Sequence, residues 1–112
     1  PVLPDIDIYK PKAPNNIFGG KESSVEVWVA VDANSQAAGV GSVLFTGIGE
    51  TGNKYLEVVE PFEDLLPGDK TMVKVPLTAP FVEDTITWTM TLLINGVPVD
   101  EAEPVFTKVR LK

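Results

Sequence analysis

The chain of 112 residues contains neither cysteine nor histidine, and the two absences restrict its chemistry. Without cysteine it can form no disulfide and has no thiolate nucleophile. Without histidine it lacks the side chain that most often acts as a general base near neutral pH and as a metal ligand. Serine–histidine and cysteine–histidine nucleophile pairs therefore cannot be assembled, and we expect a protein that is not an enzyme.

Positive charge and long apolar runs are also scarce. Nine lysines and arginines face sixteen aspartates and glutamates, which gives a formal charge of −7 and a pI near 4.4. Such a chain repels phosphate backbones, so we expect no nucleic-acid partner. No uninterrupted apolar run approaches the length of a membrane span, so no direct membrane insertion is expected. The sequence opens at Pro1 without a methionine or signal peptide, which predicts an excised module or a mature product.

The composition that remains is that of an ordinary globular domain. Hydrophobic residues make up 44% of the chain and charged residues 22%, and one core suits this length. We therefore predict a single β-sandwich domain over residues 1–112. Ten prolines and nine glycines fall between short apolar runs, which favours strands joined by turns over helices.

Period-two alternation marks the strands. It is strictest where Val25, Val27, Val29 and Val31 alternate with more polar residues. Together the segments predict an all-β fold, an immunoglobulin-like or fibronectin-like antiparallel β-sandwich of about seven strands, with a barrel as the alternative. The predicted strands are 5–9, 23–33, 40–48, 54–62, 70–79, 85–94 and a final strand that returns from residue 97 and ends as 105–111.

The dipeptide Asn95-Gly96 predicts a hairpin, because both residues accept the positive φ of a type I′ turn. Simple pairing across that turn sets Met90, on the core face, against Glu101. A carboxylate facing the core is costly without a partner, so we expect residues 100–104 to bulge out of the ladder. The alternative is that the strand ends and restarts at residue 105. The predicted pairs are Ile94 with Val97, Leu92 with Val99 and Met90 with Glu101.

Carboxylates are the remaining candidates for chemistry. Two of them suffice in principle for a glycosidase, but the pairs Glu63–Asp64 and Glu83–Asp84 lie in predicted turns, where solvated side chains are the simpler interpretation. Calcium, which binds carboxylate and carbonyl oxygens, is the one candidate cofactor. The weak candidate ligands are Asp100, Glu101 and Glu103, and their spacing matches no defined calcium loop.

Aromatic side chains are the candidates for ligand contact. Trp88 is in phase with Ile86 and Met90 and is predicted to be a core residue, whereas Trp28 faces away from the valine stripe. Flat rings can stack on the apolar faces of sugars. A glycan-binding role requires Trp28, Tyr55 and Phe62 to be exposed together on one face.

Five segments carry a resemblance to a known family: "PDIDI" near the start, "VEVWVAV" after "GGK", "LLPGDKTMVKVP", "ITWTMTLLINGVPVDEAEP", and the final "VRL". The pattern resembles the CARDB type of domain, a cell-adhesion-related module of bacterial and archaeal surface proteins. The asparagines that often follow the family's acidic segment are missing after Asp100 and Glu101. This departure and the long segment 40–62 leave other immunoglobulin-like or fibronectin-like modules open.

The resemblance implies a spacer or repeat, with no catalytic residues to carry over. We therefore expect a non-catalytic structural or adhesive module of a larger prokaryotic protein, located extracellularly or in the cell envelope. We expect a monomer whose partners are neighbouring domains of the parent chain and, beyond these, a protein or glycan ligand. The alternatives are an accessory carbohydrate-binding module and a virion or tail decoration domain.

The predicted type I′ turn at Asn95-Gly96 can be tested by substitution. Replacing Asn95 and Gly96 by Ala-Ala should lower the free energy of unfolding by about 1 to 3 kcal/mol, because alanine is strained at positive φ. Thermal unfolding measures the change, and an unaltered melting temperature would contradict the type I′ assignment.

Overall fold

The computed structural model describes residues 3–112, which form nine β-strands and no helix that could span a membrane. In chain order the strands are β1 (Ile6–Lys12), β2 (Asn16–Phe18), β3 (Glu22–Val31), β4 (Gly39–Ile48), β5 (Lys54–Leu65), β6 (Lys70–Thr78), β7 (Asp84–Ile94), β8 (Val97–Glu101) and β9 (Val105–Arg110).

The strands form two sheets that pack face to face, so the predicted all-β sandwich is confirmed. The three-stranded sheet has the order β1-β3-β6, and the six-stranded sheet has the order β2-β9-β7-β4-β5 with β8 paired to β7. All the ladders are antiparallel except β2 with β9. The four valines of β3 lie in the core as the alternation predicts, and so does Trp88 of β7.

The prediction of about seven strands was too low for two reasons. First, β2 has three residues, too few to show a period, and it lies between two predicted strands, 5–9 and 23–33. Second, the returning strand divides into β8 and β9. The first strand also continues past Pro11 to Lys12, because a bulge between Tyr9 and Lys12 places Lys10 at φ 50° and lets the ladder resume.

Between β1 and β2 the chain crosses from one sheet to the other, and a buried hydrogen-bond chain fixes the crossing. Trp88 Nε1 donates to Thr107 Oγ1 at 2.7 Å, and Thr107 Oγ1 donates to the Pro14 carbonyl at 2.6 Å. Trp88 and Thr107 are almost completely buried. The indole ring lies against Gly47 of β4, where an added Cβ would be 2.2 Å from the ring. Three strands and the crossover therefore meet at one tryptophan.

The hairpin is confirmed in its turn and corrected in its register. Asn95 and Gly96 have φ values of 53° and 75°. A bulge at Val99, one position before the predicted segment, pairs Leu92 with Asp100 and not with Val99. Glu101 therefore faces outward opposite Thr91, and the small Ala102 is buried in its place. The ladder then breaks at 102–104 and resumes as β9 at Val105. The structure therefore has both a bulge and a strand that ends and restarts, which the sequence offered as alternatives.

The register shift gives the Asp100 carboxylate a structural role. Its Oδ2 accepts a hydrogen bond from the Ile8 backbone N–H at 3.0 Å, and its Oδ1 accepts one from the Glu101 N–H at 2.9 Å. Ile8 belongs to the three-stranded sheet and Asp100 to the six-stranded one. The carboxylate thus joins the two sheets along one side of the sandwich.

Among the described strands prolines lie only in edge strands, although the short edge strand β2 has none. Among the described strands β1, β5, β6 and β8 are edges with a proline, whereas the interior strands β3, β4, β7 and β9 have none. A proline cannot donate a ladder hydrogen bond, so Pro61 and Pro76 present their nitrogens away from their paired strands. Pairing of a further strand at these edges is therefore disfavoured.

The sandwich is elongated, with principal extents of 51 × 21 × 19 Å. Ile6, where β1 begins, pairs with Val31 at the last residue of β3. Arg110, where β9 ends, pairs with Phe18 just before the first residue of β3. The first and last strands therefore begin and end at opposite ends of the molecule. We call these the N-terminal end and the C-terminal end of the sandwich.

The buried hydrogen-bond chain gives a stability prediction. Thr107→Val keeps the side-chain shape but leaves the Trp88 N–H and the Pro14 carbonyl without their partner, which should cost about 2 to 4 kcal/mol. Urea unfolding measures the loss. The matched control is Thr89→Val, a half-buried threonine on the outer face of β7, which should change stability by less than about 0.5 kcal/mol. Equal losses in the two variants would contradict the role given to Thr107.

Candidate functional site

Trp28 lies on the outer face of the three-stranded sheet and is half-buried. It pairs with Tyr9 of β1 and Met72 of β6 on either side, and the Lys70 ammonium lies 5.6 Å from its ring centroid. A lysine over an indole is a favourable cation–π arrangement. The ring therefore packs among its neighbours on the sheet surface, with Lys70 covering part of its face.

The other two candidate aromatic residues occupy different places. Tyr55 is near the first residue of β5 and Phe62 near its last, so they lie about 23 Å apart at roughly 3.3 Å per residue. Both are half-buried against the core. Phe62 lines an open groove between β5 and β6, whereas Tyr55 bonds to Asp84. The three rings do not form the common platform that a glycan-binding face requires.

The candidate calcium ligands are not gathered around one point. Asp100 is committed to the Ile8 and Glu101 amides, and Glu101 and Glu103 are exposed. Residues 3–112 contain no group of three or more aspartates, glutamates, histidines or cysteines arranged to hold a metal ion.

Asp84 was predicted to be a solvated turn residue, but it is the half-buried first residue of β7 and forms a polar centre. Its Oδ1 accepts from the Glu50 and Thr85 amides at 3.0 and 2.8 Å, and its Oδ2 accepts from the Tyr55 hydroxyl at 2.6 Å. The Tyr55 hydrogen bond, followed by that of Glu50, lowers the pKa of Asp84, while the bond to Asp84 raises the pKa of Tyr55. The group fastens the turn 49–53 to β7, which is a structural role. An added Cβ at Gly49 would be 2.1 Å from the Asp84 carboxylate.

The most distinctive surface feature is the position of the exposed large apolar side chains. At the N-terminal end two of them, Leu3 and Val99, line a hollow of about 170 Å³, in which Asp5 is the one charged residue among the described lining residues. The lining residues are Leu3, Pro4, Asp5, Ile6, Ile94 and Val99. The exposed apolar residues of this end are Leu3, Val40, Leu66, Val97 and Val99.

The C-terminal end carries the second apolar group. Phe81 is 77% exposed, the largest exposed fraction among these residues, and its ring rests on Gly20. A hollow of about 270 Å³ beside it is lined by Lys21 and Lys112 and by no carboxylate. The exposed apolar residues of this end are Phe18, Phe81, Val82 and Leu111. The remaining exposed large apolar side chains, Val59, Met72 and Phe106, are spread over the sides.

This concentration makes the two ends the candidate functional surfaces. Apolar side chains that are exposed singly need no explanation, but groups rimmed by charge are typical of places where proteins bind one another. The sequence predicted strands and turns but not this feature, because residues from four separate segments lie at the N-terminal end and residues from three at the C-terminal end. The apolar turn residues Leu66 and Phe81 were the available signal, since turns are commonly polar.

The Tyr55–Asp84 bond predicts a pH dependence. Because the pKa of Asp84 is lowered, its carboxylate stabilises the fold above about pH 4, and this stability is lost as the pH falls and the carboxylate protonates. Because the pKa of Tyr55 is raised, its phenol stabilises the fold below about pH 10, and this stability is lost as the pH rises and the phenol ionises. Tyr55→Phe should therefore lower the unfolding midpoint most near neutral pH and least at the two extremes. Tyr9→Phe is the control, and a pH-independent difference for Tyr55→Phe would contradict the assignment.

No family model and no curated protein matches the chain. Solved structures do match it. A variant of the superoxide reductase (neelaredoxin) from Ignicoccus hospitalis has a TM-score of 0.61 at 17% identity, covering 93% of this chain and 80% of that one. An alkylpurine DNA glycosylase from Pseudomonas fluorescens, bound to DNA, has a TM-score of 0.60 at 13% identity. The match covers 96% of this chain and 31% of the glycosylase. A family 2 glycosyl hydrolase from Bacteroides cellulosilyticus has a TM-score of 0.60 at 13% identity. The match covers 95% of this chain and 15% of the hydrolase. At these identities the similarity is one of fold.

Proposed function

We propose that the chain is a non-catalytic structural module that holds neighbouring domains apart by packing them against its two ends. One observation carries the proposal: the exposed large apolar side chains gather at the opposite ends of a 51 Å sandwich, where the first strand begins and the last strand ends. A neighbour joined at either end would meet an apolar surface immediately. The sides are the less suitable contacts, because four edge strands carry a proline.

The proposal includes an immunoglobulin-like fold. Strands β1, β3 and β6 share one sheet while β4, β7 and β9 share the other, as strands A, B, E and C, F, G do in immunoglobulin domains. The strand β5 then extends the second sheet beyond β4. Two of the solved structures support a modular use of such a fold, since the matching part makes up 31% and 15% of those chains.

The non-catalytic part of the proposal rests on the residue types. The chain has no histidine or cysteine, and the most engaged carboxylates, Asp84 and Asp100, use their oxygens in hydrogen bonds to backbone and tyrosine. A superoxide reductase and two enzymes acting on DNA or glycosides share the fold, but a fold of this type does not determine an activity.

The cell-surface location and the relation to CARDB domains rest on the sequence pattern. Labelling intact cells of the source organism with a membrane-impermeant amine reagent tests the location. Failure to label the protein in intact cells, with labelling after lysis, would exclude it.

A head-to-tail concatemer tests the spacer role. Three copies joined by short linkers should scatter X-rays as a rod whose maximum dimension grows by about 50 Å per copy, because packed ends suppress bending. The control has the same three copies joined by long Gly/Ser linkers, which should give a shorter, broader distribution. A short-linker chain that folds back to the dimensions of the control would refute the spacer role.

A further inference from the structure

We propose that the two ends of the sandwich bind each other, so that copies of this chain associate head to tail with Phe81 of one copy in the N-terminal hollow of the next. This inference rests on the proposed function and adds to it the identity of the partner, a second copy. It depends on three properties of the ends: shape, charge and the size of the surface.

The shape of the ends is complementary. Phe81 projects from the turn that joins β6 to β7 at the C-terminal end, and most of its ring is exposed. The N-terminal hollow has a floor of Ile6 and Ile94, which are buried, and a rim that includes Leu3 and Val99. An aromatic ring removed from water into such a hollow gains about 25 cal/mol for each Å² of apolar surface buried. The ring is therefore the natural anchor of the contact.

The charges around the two hollows are opposite. The hollow beside Phe81 is lined by Lys21 and Lys112, whereas Asp5 is the charged residue of the N-terminal hollow. The surrounding loops are acidic at the N-terminal end, whereas cations and carboxylates are mixed at the C-terminal end. The loops at the N-terminal end carry Asp32, Asp64 and Asp69, and Lys70 there lies over Trp28. The last strand brings Lys108 and Arg110 to the C-terminal end, opposite Glu50, Glu83 and the already engaged Asp84.

Charge also disfavours side-to-side contact between two β5 edges. Copies that each carry −7 repel one another. Salt screens this repulsion beyond about 8 Å at physiological ionic strength. Lateral contact between two β5 edges would bring Glu57, Glu60 and Glu63 close to the same residues of the other copy. Head-to-tail contact keeps the sides of neighbouring copies apart and joins only the ends.

The size of the surface predicts a weak interaction. An end of 21 × 19 Å offers about 400 Å² per partner, or about 800 Å² in total, below the 1,200 to 2,000 Å² typical of stable interfaces. We therefore expect a dissociation constant of roughly 1 mM between free copies. Because the two surfaces differ, the contact does not close on itself and can continue into a chain of copies.

Complementary variants test the inference. Phe81→Ser removes the anchor at the C-terminal end, and Leu3→Ser alters the rim of the hollow at the N-terminal end. The matched control is Phe106→Ser, which removes an exposed phenylalanine from the side of the sandwich. All three positions are exposed, and the amide spectrum of each ¹⁵N-labelled variant verifies its fold. Diffusion coefficients and amide shifts are then recorded by NMR between about 0.05 and 3 mM, a range that includes the expected dissociation constant.

The unchanged chain and Phe106→Ser should diffuse more slowly as concentration rises, with shifts at both ends. Each end variant alone should diffuse as a monomer throughout. Mixing labelled Phe81→Ser with unlabelled Leu3→Ser should restore binding, with shifts only at the N-terminal end of the labelled partner, and the reverse labelling should shift only the C-terminal end.

Three results would overturn the inference: monomeric behaviour of the unchanged chain at 3 mM, association of either end variant alone, or shifts confined to the edge strands. A rod-like concatemer together with monomeric free copies would reject self-binding while leaving the spacer role intact. A concatemer that folds back would reject the spacer role itself.

Discussion

The hydrogen bond from Trp88 to Thr107 is the constraint on which much of the fold depends. The indole is the largest side chain that is fully buried, and its N–H must be satisfied because an unpaired buried donor costs about 1 to 3 kcal/mol. Thr107 Oγ1 accepts this hydrogen bond and donates its own to the Pro14 carbonyl, at the point where the chain changes sheet. The ring in turn requires a residue without a side chain on β4, which Gly47 provides. One tryptophan thus fixes the mutual positions of β4, β7, β9 and the crossover.

This arrangement shows where sequence reasoning reached its limit. The alternation of β3 and β7 reports burial directly, so their valines and Trp88 were placed correctly from the sequence. The partner of the indole could not be identified in this way. Thr107 lies nineteen positions away, and its being in phase with Val105 and Val109 does not indicate which group its hydroxyl bonds. The bulge at Val99 was hidden for a related reason. The cost of burying Glu101 indicated a disruption nearby, but its position depends on Asp100 reaching the Ile8 amide in the other sheet.

The candidate surfaces were still harder to predict, because they are properties of the assembled fold. Leu3, Leu66 and Val99 are separated by more than thirty residues in each step, and they meet only because β1, β5 and β8 begin or end at the same end of the sandwich. The individual ligand candidates, in contrast, were evident from residue type. The fold then assigned Tyr55 and Asp100 to internal hydrogen bonds and left Trp28 beneath Lys70.

The edges and the ends together explain how such a module can be elongated and specific at once. Prolines on β1, β5, β6 and β8 disfavour the strong but unselective pairing of strand edges. What remains is a small apolar contact at each end, too small to hold free copies together at ordinary concentrations. When modules are joined covalently, however, the effective concentration of one end near the next reaches the millimolar range. A contact with a dissociation constant of roughly 1 mM is then about half formed or better, which stiffens a tethered series without making the free module aggregate.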